Sequence, residues 1–259
     1  MFQPIKELGQ NFLKDTLVAR DMVDALGIQS GEEVIEIGAG HGILTQVVAD
    51  KIRDTGATLY AVEVDERLCA KLNQMFLRQP NVKIVCEDIL RYLPEFEPSR
   101  DFKILGSLPY YITSPIIHKI IKMKKRPLAC VLLVQKEVAE RIVNKAPDST
   151  YLSSFIQTFF NVEFLNEVPR KMFTPEPEVD GGVIRLTKKD VEFGPEFIEK
   201  YEGFLHKAFS HPRKMLNKVF PREELQKQNI DPTLRAQNLN ADNWLEFFHA
   251  LHSEVNNEV

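Results

Sequence analysis

The residues of this chain best placed to do chemistry stand at the ends of apolar runs. Val34-Ile35-Glu36-Ile37 leads into Gly38-Ala39-Gly40-His41-Gly42, and a helical pattern opens at Ile43. Three glycines at alternate positions between a strand and a helix permit φ values, and an approach of backbone to ligand, that a Cβ would obstruct. The helix N-terminus adds unpaired N–H donors. The spacing is G-x-G-x-G with an acid two residues ahead, not the G-x-G-x-x-G that seats a dinucleotide pyrophosphate, so the stretch reads as a nucleotide-type ligand site. Glu63 ends the next apolar run, 21 residues past Gly42. That is close to the ~20 at which an acid accepts hydrogen bonds from ribose hydroxyls. Asp88 follows Val82–Cys86, where it can accept from an adenine amino group. Each acid alone also reads as a helix N-cap or a solvated loop charge; their joint occurrence at successive strand ends is the stronger signal. Ser107-Leu108-Pro109-Tyr110 occupies the same place after a fourth run, Phe102–Leu105.

The elements that must position these residues follow from periodicity. Strands are expected at 33–37, 59–64, 82–86, 102–105 and 128–134, the last so apolar that both of its faces must be covered. Helices are expected between them, over 16–26 with Thr16 as N-cap, 43–53, 65–76 and from Pro115 to Met123. Strands alternating with helices imply an α/β fold, a Rossmann-like, doubly wound, mostly parallel sheet. After a helix at 152–160, two more strand-like runs appear at 162–168 and 182–186. The segment Gly9–Leu13 looks too polar and irregular for core. Near Lys188-Lys189-Asp190 strand signals stop, and helices are expected at 196–209, 212–219, 222–228 and 241–251, punctuated by Pro195, Pro212, Pro221 and Pro232. Residues 1–189 therefore read as one domain and 190–259 as a small all-helical one.

Composition narrows the class. At 44% hydrophobic content, 259 residues can build one medium domain with a small appendage. Cys69, Cys86 and Cys130, spaced 17 and 44 apart, fit neither a zinc site nor a disulfide framework. They read as small buried hydrophobes in a reducing compartment. No run approaches the ~18 apolar residues of a membrane span and the start of the chain lacks a signal-like apolar stretch, so a cytoplasmic protein with no membrane partner is expected. The six histidines have no ligand spacing, and no metal is expected. The net charge of −4 argues against a uniformly basic nucleic-acid binder but leaves room for local patches.

An ordered series of motifs resembles one family. Gly9-Gln10-Asn11-Phe12-Leu13, Glu36-Ile37-Gly38-Ala39-Gly40-His41-Gly42, Val62-Glu63-Val64-Asp65, Glu87-Asp88-Ile89-Leu90, Leu108-Pro109-Tyr110-Tyr111-Ile112-Thr113-Ser114-Pro115, Phe173 to Asp180 and Arg213-Lys214-Met215-Leu216 look like those of the KsgA/Dim-type rRNA adenine N6-dimethyltransferases. The match spans residues 9 to about 218. The glycine turn alone is shared by most class I methyltransferases; the set is specific. Erythromycin-resistance methyltransferases share the N-terminal motifs but modify large-subunit rRNA, and the Arg213-Lys214 helix with the long C-terminal part favours the former. The resemblance implies S-adenosyl-L-methionine as cofactor. It also implies two adjacent adenosines in a hairpin loop near the 3′ end of small-subunit rRNA, naked or in a pre-assembled small subunit, as the substrate of a monomer with a role in subunit biogenesis. Carried over by position, it gives Gln10, Asn11 and Leu13 as lid contacts over the cofactor, Gly38 and Gly40 as backbone against it, Glu63 at the ribose, Asp88 at the adenine and Ser107 beside the methyl donor. Tyr110 is where the family stacks the target base, with Phe173 on its other face. The family has Asn where this chain has Ser107.

The expected chemistry follows from the substrate. An exocyclic adenine nitrogen is a poor nucleophile because its lone pair is delocalised into the ring. The site must therefore offer acceptors to its N–H groups as it becomes pyramidal, and Ser107 Oγ with the Leu108 carbonyl are the candidates. Pro109 stiffens the turn, and an adenosine splayed out of a loop can stack on Tyr110. Phosphate contacts are expected from Lys119, Lys122, Lys124, Lys125 and Arg126, from Arg170 and Lys171, and from Lys207, Arg213, Lys214 and Lys218, although lysine runs also serve as solvated helix faces. DNA adenine methylation and a ribosome-assembly factor acting mainly by binding are the competing readings.

Overall fold

The computed structural model describes residues 9–253, without the side chains of Tyr110 and Ser253. The strands are β1 (Phe12–Leu13), β2 (Glu33–Ile37), β3 (Thr58–Glu63), β4 (Val82–Cys86), β5 (Phe102–Ser107), β6 (Ala129–Gln135), β7 (Phe160–Val168), β8 (Phe173–Thr174) and β9 (Gly181–Lys188). The helices are α1 (Thr16–Leu26), α2 (Ile43–Lys51), α3 (Glu66–Met75), α4 (Ile89–Glu95), α5 (Thr113–Lys122), α6 (Lys136–Val143), α7 (Tyr151–Phe159), α8 (Pro195–Phe209), α9 (Arg222–Lys227) and α10 (Ala241–Ser253). Seven strands form one sheet in the order β4-β3-β2-β5-β6-β9-β7, parallel from β4 to β6, with β9 antiparallel to β6. Strand order reverses beside β2, between β3 and β5, and open α/β sheets place ligands at such a switch.

β2 and β6 are buried on both faces, which is why β6 runs apolar without alternating and why β2 is apolar apart from Glu33 and Glu36. Val34, Leu59, Ala61, Leu105, Val131 and Leu133 join Met22, Val23 and Leu26 of α1 and Leu44 and Val48 of α2 in one core cluster.

Several expectations are corrected. Asp15, not Thr16, caps α1: Asp15 Oδ1 accepts from the Leu17 and Val18 N–H groups at 2.9 and 3.0 Å. Two side-chain acceptor bonds satisfy orphan donors that a first-turn Thr16 cannot reach. The Gly9–Leu13 segment is not excluded from the core, because β1 pairs antiparallel with β8 and Leu13 is buried against it. Residues 212–219 form no α-helix; a turn and the one-turn 3₁₀ helix Leu216–Lys218 replace it, so Arg213 and Lys214 sit in a bend. Pro212 cannot donate, and it biases His211 away from helix. Cys69 and Cys86 form a disulfide with Cα atoms 5.8 Å apart. Parallel pairing puts Cys86 opposite Glu63, at the start of the turn into α3, a proximity that a 17-residue spacing conceals. Cys130 is the buried free thiol.

The chain divides into two compact units, Met1–Ala139 with Val162–Lys188 and Glu140–Asn161 with Lys189–Val259. The composition break at 189/190 lies beside the last of three crossings. The other two fall inside α6 and β7, where no Pro or Gly marks them. Within the second unit, α7 packs on α8 and α10, and the Thr158 and Tyr201 hydroxyls share a buried hydrogen bond of 3.0 Å. Among the described residues no helix is long and apolar enough to cross a membrane.

Candidate active site

The carboxyl ends of β2, β3, β4 and β5 enclose a cavity of about 310 Å³ in the first unit. Gln10, Asn11, Leu13, Gly38, Gly40, Glu63, Asp88, Ser107, Leu108, Pro109 and Phe173 all line it. Parallel pairing here brings Ile37 beside Val62 on one side and Gly106 on the other, 25 and 69 positions away in the chain.

The turn after β2 is built on Gly38, Gly40 and Gly42, with φ of 70°, 56° and 86°. A Cβ on Gly40 would lie 3.0 Å from Phe12 Cδ1, so the bare backbone there makes room for the strap that carries Phe12. Phe12 in turn packs against His41, ring centroids 4.2 Å apart and planes tilted by 48°. Glu63 ties this turn to the end of β3. Its Oε2 accepts from the Gly40 N–H at 2.8 Å, and its Oε1 accepts from Val64 and Asp65 N–H at 2.9 and 3.0 Å.

Asp65 caps α3 and accepts from Gln10 Nε2 at 3.1 Å. The Arg67 guanidinium hydrogen-bonded to it holds its carboxyl down at about 2, against the opposing effect of burial. Asp88 proves to be both an N-cap and a cavity residue: its Oδ1 accepts from Leu90 N–H at 2.9 Å at the head of α4. The Leu108 N–H donates to the Leu133 carbonyl at 2.9 Å, fixing the start of the Leu108-Pro109 turn, and Pro109 has φ −59° and ψ 132°. Phe173 is 2% exposed and opposite Leu13 in the β1–β8 pair, so only part of its ring meets the cavity. The side chain of Tyr110 lies outside the described structure; its backbone opens the one-turn helix Tyr110–Ile112.

Glu36 belongs to the site although the strand-end reading passes over it. It is fully buried in the central strand, lines the cavity, and neither carboxylate oxygen has a hydrogen-bond partner. Burial pushes its carboxyl up to about 8; the Glu63 charge adds to the rise and Thr45 offsets part of it. A carboxyl between Ile35 and Ile37, two residues ahead of the glycine turn, was the available signal. A buried carboxylate without partners is costly, so a cavity with one in its wall suits a cation. Cavity size, acids beyond the strand ends and this orphaned carboxyl fit a cationic nucleoside cofactor. Among the described residues no cluster could hold a metal ion.

The basic residues divide. Lys119 and Lys122 are exposed on α5, and Lys171 is exposed in the turn before β8. Arg170 is engaged by Glu176 at 3.2 Å and by the Glu178 carbonyl at 3.1 Å. Lys124 and Lys125 pair with Glu97 and Asp101. Arg126 is corrected as a phosphate contact: it is buried and donates to the Ile121 carbonyl. In the second unit, Lys207 lies over the Phe220 ring at 5.0 Å, and Arg213, Lys214 and Lys218 are exposed.

A family model described as ribosomal RNA adenine dimethylase matches residues 1–253. The ribosomal RNA small subunit methyltransferase A of Sulfurihydrogenibium sp. is 32% identical over 256 residues, 97% of this chain and 98% of its own. That of Thermotoga petrophila is 37% identical over 248 residues, 94% and 90% respectively. In fold, the chain is similar to a dimethyladenosine transferase from Plasmodium falciparum (TM-score 0.80, 23% identity, 94% of this chain and 98% of that one). It is also similar to the 23S rRNA methyltransferase ErmE (TM-score 0.74, 24% identity, 93% and 100%).

Proposed function

This chain belongs to the ribosomal RNA adenine dimethylase family, and from that premise we propose that its cavity binds S-adenosylmethionine and methylates N6 of two adjacent adenosines in a hairpin loop near the 3′ end of small-subunit rRNA. The observation that carries the reading is the convergence of Gly38, Glu63, Asp88 and Ser107-Leu108-Pro109 on one cavity at the sheet's switch point. When bound, the cofactor supplies an electrophilic methyl group on a sulfonium that becomes neutral on transfer.

The chain's own groups then have separable tasks. Asp88 spends Oδ1 on capping α4, which leaves Oδ2 for the adenine amino group. A carboxylate offers about four acceptor sites, and the backbone occupies three of those of Glu63, so it meets the ribose through Oε2 alone, not through both oxygens. Glu36 faces the cationic part of the cofactor. Gln10, Asn11 and Leu13 close over it, with β1 held by β8. Ser107 Oγ and the Leu108 carbonyl accept from the target amino group, so its lone pair is freed for in-line attack. The nitrogen's lone pair forms the N–C bond as the S–C bond breaks, the surplus proton passes to water, and alignment supplies most of the rate. The target base stacks at Tyr110, and Phe173 closes the far side. Lys119, Lys122 and Lys171, with Lys207, Arg213 and Lys214 of the second unit, supply the phosphate contacts that single-stranded RNA requires.

Small ribosomal subunits lacking the modification, incubated with methyl-labelled S-adenosylmethionine, should acquire label recovered as N6-methylated adenosine. Label absent from adenosine while cofactor binding persists would overturn the reading.

A further inference from the structure

The cavity mouth carries an aromatic side chain that the reaction as described leaves without a task. Among the described aromatic residues that line the cavity, Phe12 is packed against His41 and Phe173 is buried. Tyr111 is 57% exposed. A large ring left in water beside a ligand cavity forgoes the burial that places most tyrosines at least partly inside. Its exposure does not come from looseness. Gly9, with φ +58°, passes so close to the ring that a Cβ there would lie 3.0 Å from Cδ1 and 3.1 Å from Cε1. The backbone of the entering strap backs one part of the ring and leaves more than half of the side chain open. A ring restrained in this way loses little further freedom when a planar partner stacks on it.

We infer that Tyr111 is a stacking platform for the base of the nucleotide next to the target adenosine; the inference rests on the RNA methyltransferase reading above. Tyr111 lines the cavity one residue beyond Tyr110, so its open ring stands within a nucleotide's reach of a target base entering that cavity. Stacking is tolerant of base identity because every base has a π-face. Tyr111 therefore contributes affinity and positioning for a pair of neighbouring nucleotides, and the sequence preference of the pocket itself lies elsewhere. The first and second adenosines of an adjacent pair could each use the platform in turn, one at the pocket while the other stacks.

The test uses the full chain, saturating S-adenosylhomocysteine, and an RNA hairpin carrying the fluorescent base 2-aminopurine at each loop position beside the target adenosine. Wild type and Tyr111→Phe should quench the probe at one flanking position; Tyr111→Leu, which keeps an apolar contact with Gly9 but has no π-face, should not. RNA binding by Tyr111→Leu should weaken by roughly 5- to 150-fold, the range expected when one base stack is removed, while S-adenosylhomocysteine still saturates the variant. Equal quenching by Tyr111→Leu, or an unchanged RNA Kd, would overturn the inference. Should Tyr111→Leu fail to fold, Gly9→Ala, which displaces the ring, must lower the quenching; if it does not, the inference falls. Failure of the underlying reading is separate: wild type would then transfer no label to adenosine in small subunits.

Discussion

Glu63 Oε2 accepts a hydrogen bond of 2.8 Å from the backbone N–H of Gly40, across 23 residues of chain. The acid at the end of β3 is thus part of the glycine turn's own construction, with two further backbone N–H groups on its other oxygen. Replacing Glu63 with Ala should strand three buried or partly buried donors, each at about 1–3 kcal/mol. We expect both a lower Tm and weaker cofactor binding. Calorimetric titration with S-adenosylhomocysteine and thermal melts measure the two; a Kd unchanged in a destabilised variant would make Glu63 a purely structural acid.

Glu36 gives the protein a pH signature. Its carboxyl titrates at about 8 in the folded state against an ordinary value of 4.5. Between those values the unfolded chain gives up the proton first, so the stability present below pH 4.5 declines as pH rises toward 8 and levels above it. The decline attributable to this group reaches at most about 1.4 kcal/mol per pH unit. Denaturant unfolding of ligand-free protein at intervals between pH 5 and 8 should show Glu36→Gln losing that decline; parallel curves for the two proteins would refute it. A cation bound beside Glu36 draws off the proton, so cofactor affinity should rise over the same range in wild type alone.

Ser107 bears most directly on rate. Its oxygen stands closer to the backbone than an asparagine carboxamide oxygen would, leaving a longer reach to the target amino group. Losing one well-placed hydrogen bond in a transition state typically costs ~10²–10³ in rate. Ser107→Asn should raise turnover without tightening cofactor binding, since the gain is confined to the transition state. Single-turnover kinetics decide it: a slower Ser107→Asn enzyme means that the pocket is shaped around the serine.

Arg213 and Lys214 are exposed in a bend of the second unit. Reversing both to Glu should leave cofactor affinity unchanged, weaken RNA binding and flatten its dependence on salt by ~0.7 in slope for each single-strand phosphate no longer neutralised. RNA titrations at low and high salt provide the check. Identical slopes would remove this bend from the RNA-binding surface.

How much of this was legible in the sequence depended on how local each signal is. β2 to β6, the glycine turn and the acids at strand ends follow from runs of a few residues, because strands of a covered parallel sheet are mostly apolar. β1 and β8 escape notice because two residues pair with two others some 160 positions away, and no periodicity exists in two residues. α6, Lys136–Val143, is masked by its charges between the end of β6 and a loop. Asp88 reads equally as cap or site acid because it both caps α4 and lines the cavity. Cys69–Cys86 depends on which strands become neighbours, and Tyr111 on a glycine more than 100 residues earlier in the chain.

The interleaving of the two units governs the order in which the nascent chain can settle. Gln135 of β6 pairs with Gly181 of β9, and between them runs Glu140–Asn161, whose companions begin only at Lys189. During synthesis α7 emerges with Phe155, Ile156 and Phe159, all fully buried in the finished protein, before α8 and α10 exist to cover them. That apolar face must wait through the completion of the sheet. Trimming the chain at the composition break would make the wait permanent: a fragment ending at residue 189 keeps α7 but discards its cover, and is expected to aggregate where the intact protein does not.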